Sequence, residues 1–113
     1  MSSFDEQYCY LTTTGRVSGE PREIEIWFAH HGGSLYLLAG GGERADWVRN
    51  LRAEPRVSVR VGEETFAATA RVVDDPDEEE LARRIVHGRY ASGPDDMAGW
   101  RDGGLPVALD LNA

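Results

Sequence analysis

Leu11-Thr12-Thr13-Thr14-Gly15-Arg16-Val17-Ser18-Gly19-Glu20-Pro21-Arg22 takes the chain from a β-type run of Leu and Thr into a turn with two glycines, a proline, a serine and two arginines. Gly15 and Gly19 can adopt positive φ, and Pro21 has no N–H to give to a ladder, so the backbone leaves the sheet between them. Such a turn presents N–H groups, and the guanidinium forks of Arg16 and Arg22 suit phosphate or carboxylate. The segment reads as an anion clamp, although a hairpin turn with solvated arginines accounts for the same residues. An arginine pair is conspicuous in a chain whose formal net charge is −8.

Working outward, strand signals dominate. Cys9, Leu11 and Thr13 alternate with Tyr10, Thr12 and Thr14 before the turn. After it, Ile24, Ile26 and Phe28 alternate with Glu23, Glu25 and Trp27, a period of two. His31-Gly32-Gly33-Ser34 is a hairpin turn into Leu35-Tyr36-Leu37-Leu38-Ala39. Val57, Val59 and Val61 form a further alternating run. Gly62-Glu63 turns it back into Thr65 to Val73, and Pro106 to Leu111 is a last short strand.

Two segments carry helical spacing. One runs from about Ala45 to Glu54, with Trp47, Val48 and Leu51 on one side and Pro55 as a stop. The other starts near Pro76, with Asp74 or Asp75 as N-cap, Leu81, Ile85 and Val86 as its stripe, and Gly88 as its end. Ala91 to Gly104 is rich in Gly and Asp and reads as a loop or short helical turn. About six strands with tight turns and one or two covering helices predict an α+β protein, an antiparallel sheet curled into a small barrel.

The bulk composition narrows the function classes. A chain of 113 residues, 41% hydrophobic and 28% charged, is expected to form one domain over residues 1–113. Twelve basic against 20 acidic residues argue against nucleic acid and anionic membrane surfaces. No apolar run nears the length of a bilayer span, and without a basic-then-apolar opening export is not expected. The single cysteine, Cys9, fits a reducing cytoplasm and reads as a buried structural thiol. All basic residues are arginine, which excludes Schiff-base and P-loop lysine chemistry. His30 and His31 are adjacent at a strand end and point to opposite faces, His87 sits near a helix C-terminus, no cluster has metal-ligand spacing, and no nucleophile motif occurs.

Besides the turn, Gly40-Gly41-Gly42 stands between a strand and a helix, where glycines let backbone approach a ligand and aim N–H groups at an anion. A flexible connection is the plainer account. Trp27, Tyr90 and Trp100 could wall a flat cofactor, or fill a core or a subunit interface.

The order of these motifs resembles the deazaflavin-dependent nitroreductase family. The resemblance rests on the Leu11–Arg22 run, on Gly32 to Leu37, on Gly41-Gly42 followed by Trp47, Asn50-Leu51, Pro55 and Val57-Ser58-Val59, and on Trp100 and Leu105-Pro106-Val107. It covers residues 10 to 110, and it implies a split β-barrel that binds coenzyme F420, a deazaflavin with a phospholactyl-oligoglutamate tail. Arg16, Ser18, Gly19 and Arg22 would face the tail. Ala39, Gly40, Gly41, Gly42, Trp47 and Asn50 would approach the ring or phosphate, and Tyr90 is the candidate proton donor. The implied chemistry is hydride transfer from reduced F420 to a small quinone, enone or nitro acceptor, in a homodimer of the kind split barrels form. Val17 stands where the family often has a basic residue, which suits FMN on the same barrel; a non-catalytic F420-binding or storage protein is a further alternative.

Overall fold

A computed structural model describes residues 8–90 and 104–112, with the side chains of residues 89 and 90 excepted. Seven strands are described: β1 (Tyr8–Thr14), β2 (Pro21–Trp27), β3 (Ala29–His31), β4 (Ser34–Ala39), β5 (Arg56–Val61), β6 (Glu64–Val72) and β7 (Leu105–Leu111). Two helices accompany them, α1 (Asp46–Ala53) and α2 (Pro76–Tyr90). All pairings are antiparallel, in the order β2-β1-β5-β6-β7-β4-β3. The curled α+β half-barrel matches the expectation. The strand beyond the expected six is β3, which the alternation read as the end of β2; Phe28 interrupts the ladder and turns fully into the core.

Burial explains the patterns. β1 alternates strictly, with Cys9, Leu11 and Thr13 inside, because only one of its faces is covered. β4 is buried at five successive positions because both of its faces are covered. Its inner side chains, Leu35, Leu37 and Ala39, join a core with Leu11, Val59, Val107 and Leu109, into which α1 inserts Val48 and Leu51. Its outer side chains, Tyr36 and Leu38, lie under α2 with Ala82, Val86 and Ala108.

The helix ends follow local chemistry. Pro76 opens α2, and the Asp75 carboxylate accepts the Glu78 N–H at 2.9 Å, so Asp75 rather than Asp74 is the N-cap. α2 does not stop at Gly88 but continues to Tyr90. A single glycine costs a helix only about 1 kcal/mol, less than the packing of the preceding turns supplies. α1 has no side-chain cap, and Pro55 follows its end. Most of Ala91 to Gly104, including Trp100, lies outside the described residues. Among the described residues no helix is long and apolar enough to cross a membrane.

Candidate functional site

The β1–β2 turn folds back on itself before it meets anything else. The Gly15 N–H donates to the Glu20 carbonyl at 2.8 Å and the Gly19 N–H to the Gly15 carbonyl at 2.8 Å. The Glu20 N–H donates to Ser18 Oγ at 3.1 Å. Gly19 takes φ +75°, as the turn required. Gly15 is needed for a different reason. Its φ is not positive, but a Cβ there would lie 2.9 Å from Ser18 Oγ and 3.2 Å from the Glu20 carbonyl.

The turn is then fastened to α1. Asn50, 4% exposed, projects its amide from α1 toward β1. Its Oδ1 accepts the Arg16 backbone N–H at 3.1 Å and Arg16 Nη1 at 2.9 Å, while its Nδ2 donates to Thr13 Oγ1 at 3.3 Å. Arg16 Nη2 reaches Asp46 Oδ1 at 3.3 Å at the start of the helix. Arg22 is held more loosely, 3.9 Å from Glu20, with its side chain 59% exposed. Four of the turn's N–H groups, those of Gly15, Arg16, Gly19 and Glu20, are thus spent within the protein. An incoming anion therefore depends on the arginine side chains more than on the turn's backbone.

Between turn and helix lies a cleft of about 550 Å³, lined chiefly by Arg16, Ser18, Arg22, Ile24, Trp47 and Asn50, with Gly15, Val17, Glu23 and Asp46 completing it. Trp47 and Ile24 give it an apolar wall, and the arginines give it a cationic end. Five residues singled out from the sequence meet here: Arg16, Ser18, Arg22, Trp47 and Asn50. Gly19, Ala39, Gly40, Gly41 and Gly42 do not line it. Of the glycine run, Gly41 has φ −80° and Gly42 has φ +60°, so only the second needs a glycine backbone; it opens a short 3-10 turn, Gly42–Arg44, that leads into α1. The Tyr90 side chain lies outside the described residues.

Thr13, Glu23 and Asp46 were not singled out from the sequence. Among the described residues Thr13 and Asn50 are the buried polar ones without an aromatic ring, and the two bond each other. The signal for Thr13 was the inward phase of the β1 alternation. Asp46 was hidden because an acid at the first position of a helix already has an ordinary role at the helix dipole.

A second polar cluster lies on the opposite side of the sheet. Arg71 donates to Glu78 at 2.6 and 2.7 Å and to Asp110 at 2.7 and 3.2 Å. Tyr36 Oη donates to Glu78 at 2.7 Å and Ser34 Oγ to Asp110 at 2.6 Å. The Arg71 guanidinium holds both carboxyls below their ordinary range, while burial pushes the Tyr36 phenol up. This network ties α2 to β4, β6 and β7. Among the described residues no group of His, Cys, Asp and Glu could hold a metal ion.

Known proteins share this architecture. The structure of an F420-H2-dependent reductase, FDR-A, superposes with TM-score 0.74 at 23% identity, covering 94% of each chain. A structure described as a domain-swapped dimer gives TM-score 0.74 at 25% identity, over 94% of this chain and 80% of the other. The fold is therefore the split β-barrel. An F420H(2)-dependent quinone reductase of Mycobacterium tuberculosis is 38% identical over 72 residues, 59% of this chain and 48% of that protein. The chain thus spans about half the length of the curated relatives it matches. The match to the family described as F420H(2)-dependent quinone reductase runs over residues 3–112, and the chain belongs to that family.

Proposed function

We propose that this chain binds coenzyme F420 in the cleft between the β1–β2 turn and α1, and that it reduces a small electron-poor acceptor, a quinone above all. The observation that carries the reading is the pairing, in one cleft, of an apolar wall made by Trp47 and Ile24 with an end made by Arg16 and Arg22. A flat ring carrying an anionic tail needs both. Family membership and the relative's name supply the identity of the cofactor and acceptor class.

When bound, reduced F420 supplies the hydride, and the protein's part is position and environment. Arg16 and Arg22 would hold the anion, with Arg16 aimed by Asn50. Trp47 and Ile24 would exclude water from one side of the ring. Ser18 offers a hydroxyl at the rim and the buried Asn50 acts through Arg16, whereas Gly19, Ala39, Gly40, Gly41 and Gly42 would have to be reached beyond the cleft. Tyr90, at the end of α2, would deliver the balancing proton. Tyr90→Phe then lowers turnover about 10²-fold or more, and leaves it unchanged where water serves instead.

The chain would act as a homodimer, in keeping with the neighbour described as a domain-swapped dimer. The uncovered outer face of β1 and β2, where the Tyr8 and Trp27 rings sit 6.4 Å apart, is a suitable contact surface. Light scattering of the purified protein checks this.

Titration with F420 and with FMN, followed by stopped-flow loss of reduced-F420 absorbance over a panel of quinones, enones and nitro compounds, tests the function. Tight F420 binding with quinone turnover supports it. FMN preference moves the chain to the flavin alternative, and tight binding without turnover makes it a carrier.

A further inference from the structure

We propose that Asp46 is a specificity-determining residue of the cleft: its carboxylate occupies the outer edge of the Arg16 guanidinium, and a ligand anion reaches Arg16 only by displacing it. This rests on the reading that the cleft takes an anion-bearing ligand. The two ends of the Arg16 fork sit in different surroundings. Nη1 is on Asn50 Oδ1 at 2.9 Å, and Asn50 is 4% exposed and bonded in turn to Thr13. Nη2 is on Asp46 Oδ1 at 3.3 Å, and the Asp46 side chain is 84% exposed. A bond to a buried amide is costly to break, whereas an ion pair in water is weak and screened by salt. The inner contact therefore stays and the outer one exchanges.

The same balance recurs at Arg22, whose nearest carboxylate is Glu20 at 3.9 Å. Glu23 adds a further acid to the lining. Both clamp arginines are partly neutralised by the chain's own carboxylates before any ligand enters. The helix dipole accounts for an acid at the first position of α1. It does not account for the contact of that side chain with Arg16 Nη2 at 3.3 Å. The consequence is a threshold. A small anion offers Arg16 no more than Asp46 already does, while a ligand that also fills the apolar part of the cleft overcomes the exchange.

The test is Asp46→Asn, which keeps the shape and removes the charge, in calorimetric titrations with inorganic phosphate and fluorescence titrations with F420. Asp46→Asn is expected to tighten phosphate about two- to fivefold at low ionic strength, the scale of an exposed ion pair. The gain should shrink as salt rises. In an Arg16→Ala background the gain should vanish. Glu43→Gln, which removes a nearby carboxylate paired with Arg52 outside the cleft lining, should give none. Unchanged or weaker phosphate binding in a folded Asp46→Asn protein overturns the proposal, as does an equal gain without Arg16 or with Glu43→Gln. Failure of both proteins to bind phosphate overturns it too, because Arg16 is then no anion site. If phosphate tightens as described while F420 binds neither protein, the role of Asp46 stands and the cofactor reading falls.

Discussion

A single acceptor atom, Asn50 Oδ1, takes two hydrogen bonds from one residue: the Arg16 backbone N–H at 3.1 Å and Arg16 Nη1 at 2.9 Å. The same amide donates to Thr13 at 3.3 Å, so one buried side chain on α1 fixes both the last inward residue of β1 and the first arginine of the turn. The orientation of the cationic end of the cleft is thus set in the core rather than at the surface.

Asn50→Ala should therefore cost more than its size implies. It deletes three hydrogen bonds and leaves the Thr13 hydroxyl, 1% exposed, without that partner. The expected loss is about 1–3 kcal/mol, read as a lower denaturant midpoint with an unchanged slope. Asn50→Asp keeps the acceptor for Arg16 and lets the Thr13 hydroxyl donate, so it should recover most of that loss. An Asn50→Ala protein as stable as wild type would show that the bridge is not structural.

The two glycines before α1 should separate cleanly. Gly42 sits at φ +60°, so Gly42→Ala should destabilise by about 1–2 kcal/mol. Gly41 sits at φ −80°, and a Cβ there meets Ala45 Cβ at 3.4 Å, an ordinary contact. Gly41→Ala should be neutral or stabilising by up to about 1 kcal/mol through its effect on the unfolded chain. Thermal melts of the two variants decide it, and the reverse order would contradict the backbone assignment.

Much of the fold was legible because period-two alternation is imposed by one covered face, as at Cys9, Leu11 and Thr13. β3 was not separable from β2, since Phe28 continues the alternation in sequence while leaving the ladder in space. In the site, the arginines and Trp47 stood out by residue type. Their arrangement did not: the Arg16–Asn50 and Arg16–Asp46 contacts join residues at least 30 positions apart. Nor could composition show that Gly15 is demanded by crowding and Gly42 by its φ.

Acid should loosen α2 first. Glu78 and Asp110 have folded pKa values below the ordinary 4.5 and 3.8, chiefly through their hydrogen bonds from Arg71. A carboxyl depressed in this way stabilises the fold above its unfolded pKa, and that stabilisation is lost as pH falls through the folded value. Stability should therefore hold down to about pH 4.5 and decline below it. Tyr36, raised mainly by burial, works at the other end: its contribution is complete below pH 10.0 and is lost as pH rises through the higher folded value. Glu78→Gln should lower stability at neutral pH by about 1 kcal/mol, allowing for the solvent screening of a half-exposed network. It should also flatten the acid limb. Denaturation midpoints across pH for both proteins test the sign, and an acid limb as steep in Glu78→Gln as in wild type would place the titrating groups elsewhere.

The two clamp arginines should not contribute equally to cofactor binding. Arg16 is positioned by a buried amide through two bonds, so little of its freedom remains to be lost when an anion arrives. Arg22 is 59% exposed and among the described residues its ion pair is with Glu20 at 3.9 Å, so it must be ordered by the ligand itself. Arg16→Ala should weaken F420 by about 1–3 kcal/mol, the range for a charge-assisted hydrogen bond, and Arg22→Ala by less than about 1 kcal/mol. Fluorescence titrations at one ionic strength, with circular dichroism to verify folding, measure the difference. The contrast between Arg16→Ala and Arg16→Lys sharpens it further. Lysine keeps the charge but lacks the planar fork that bonds Asn50 along one edge while the other exchanges between Asp46 and an incoming anion. If pre-positioning is what makes Arg16 effective, Arg16→Lys should bind F420 nearly as poorly as Arg16→Ala; if charge alone matters, it should bind nearly as well as wild type.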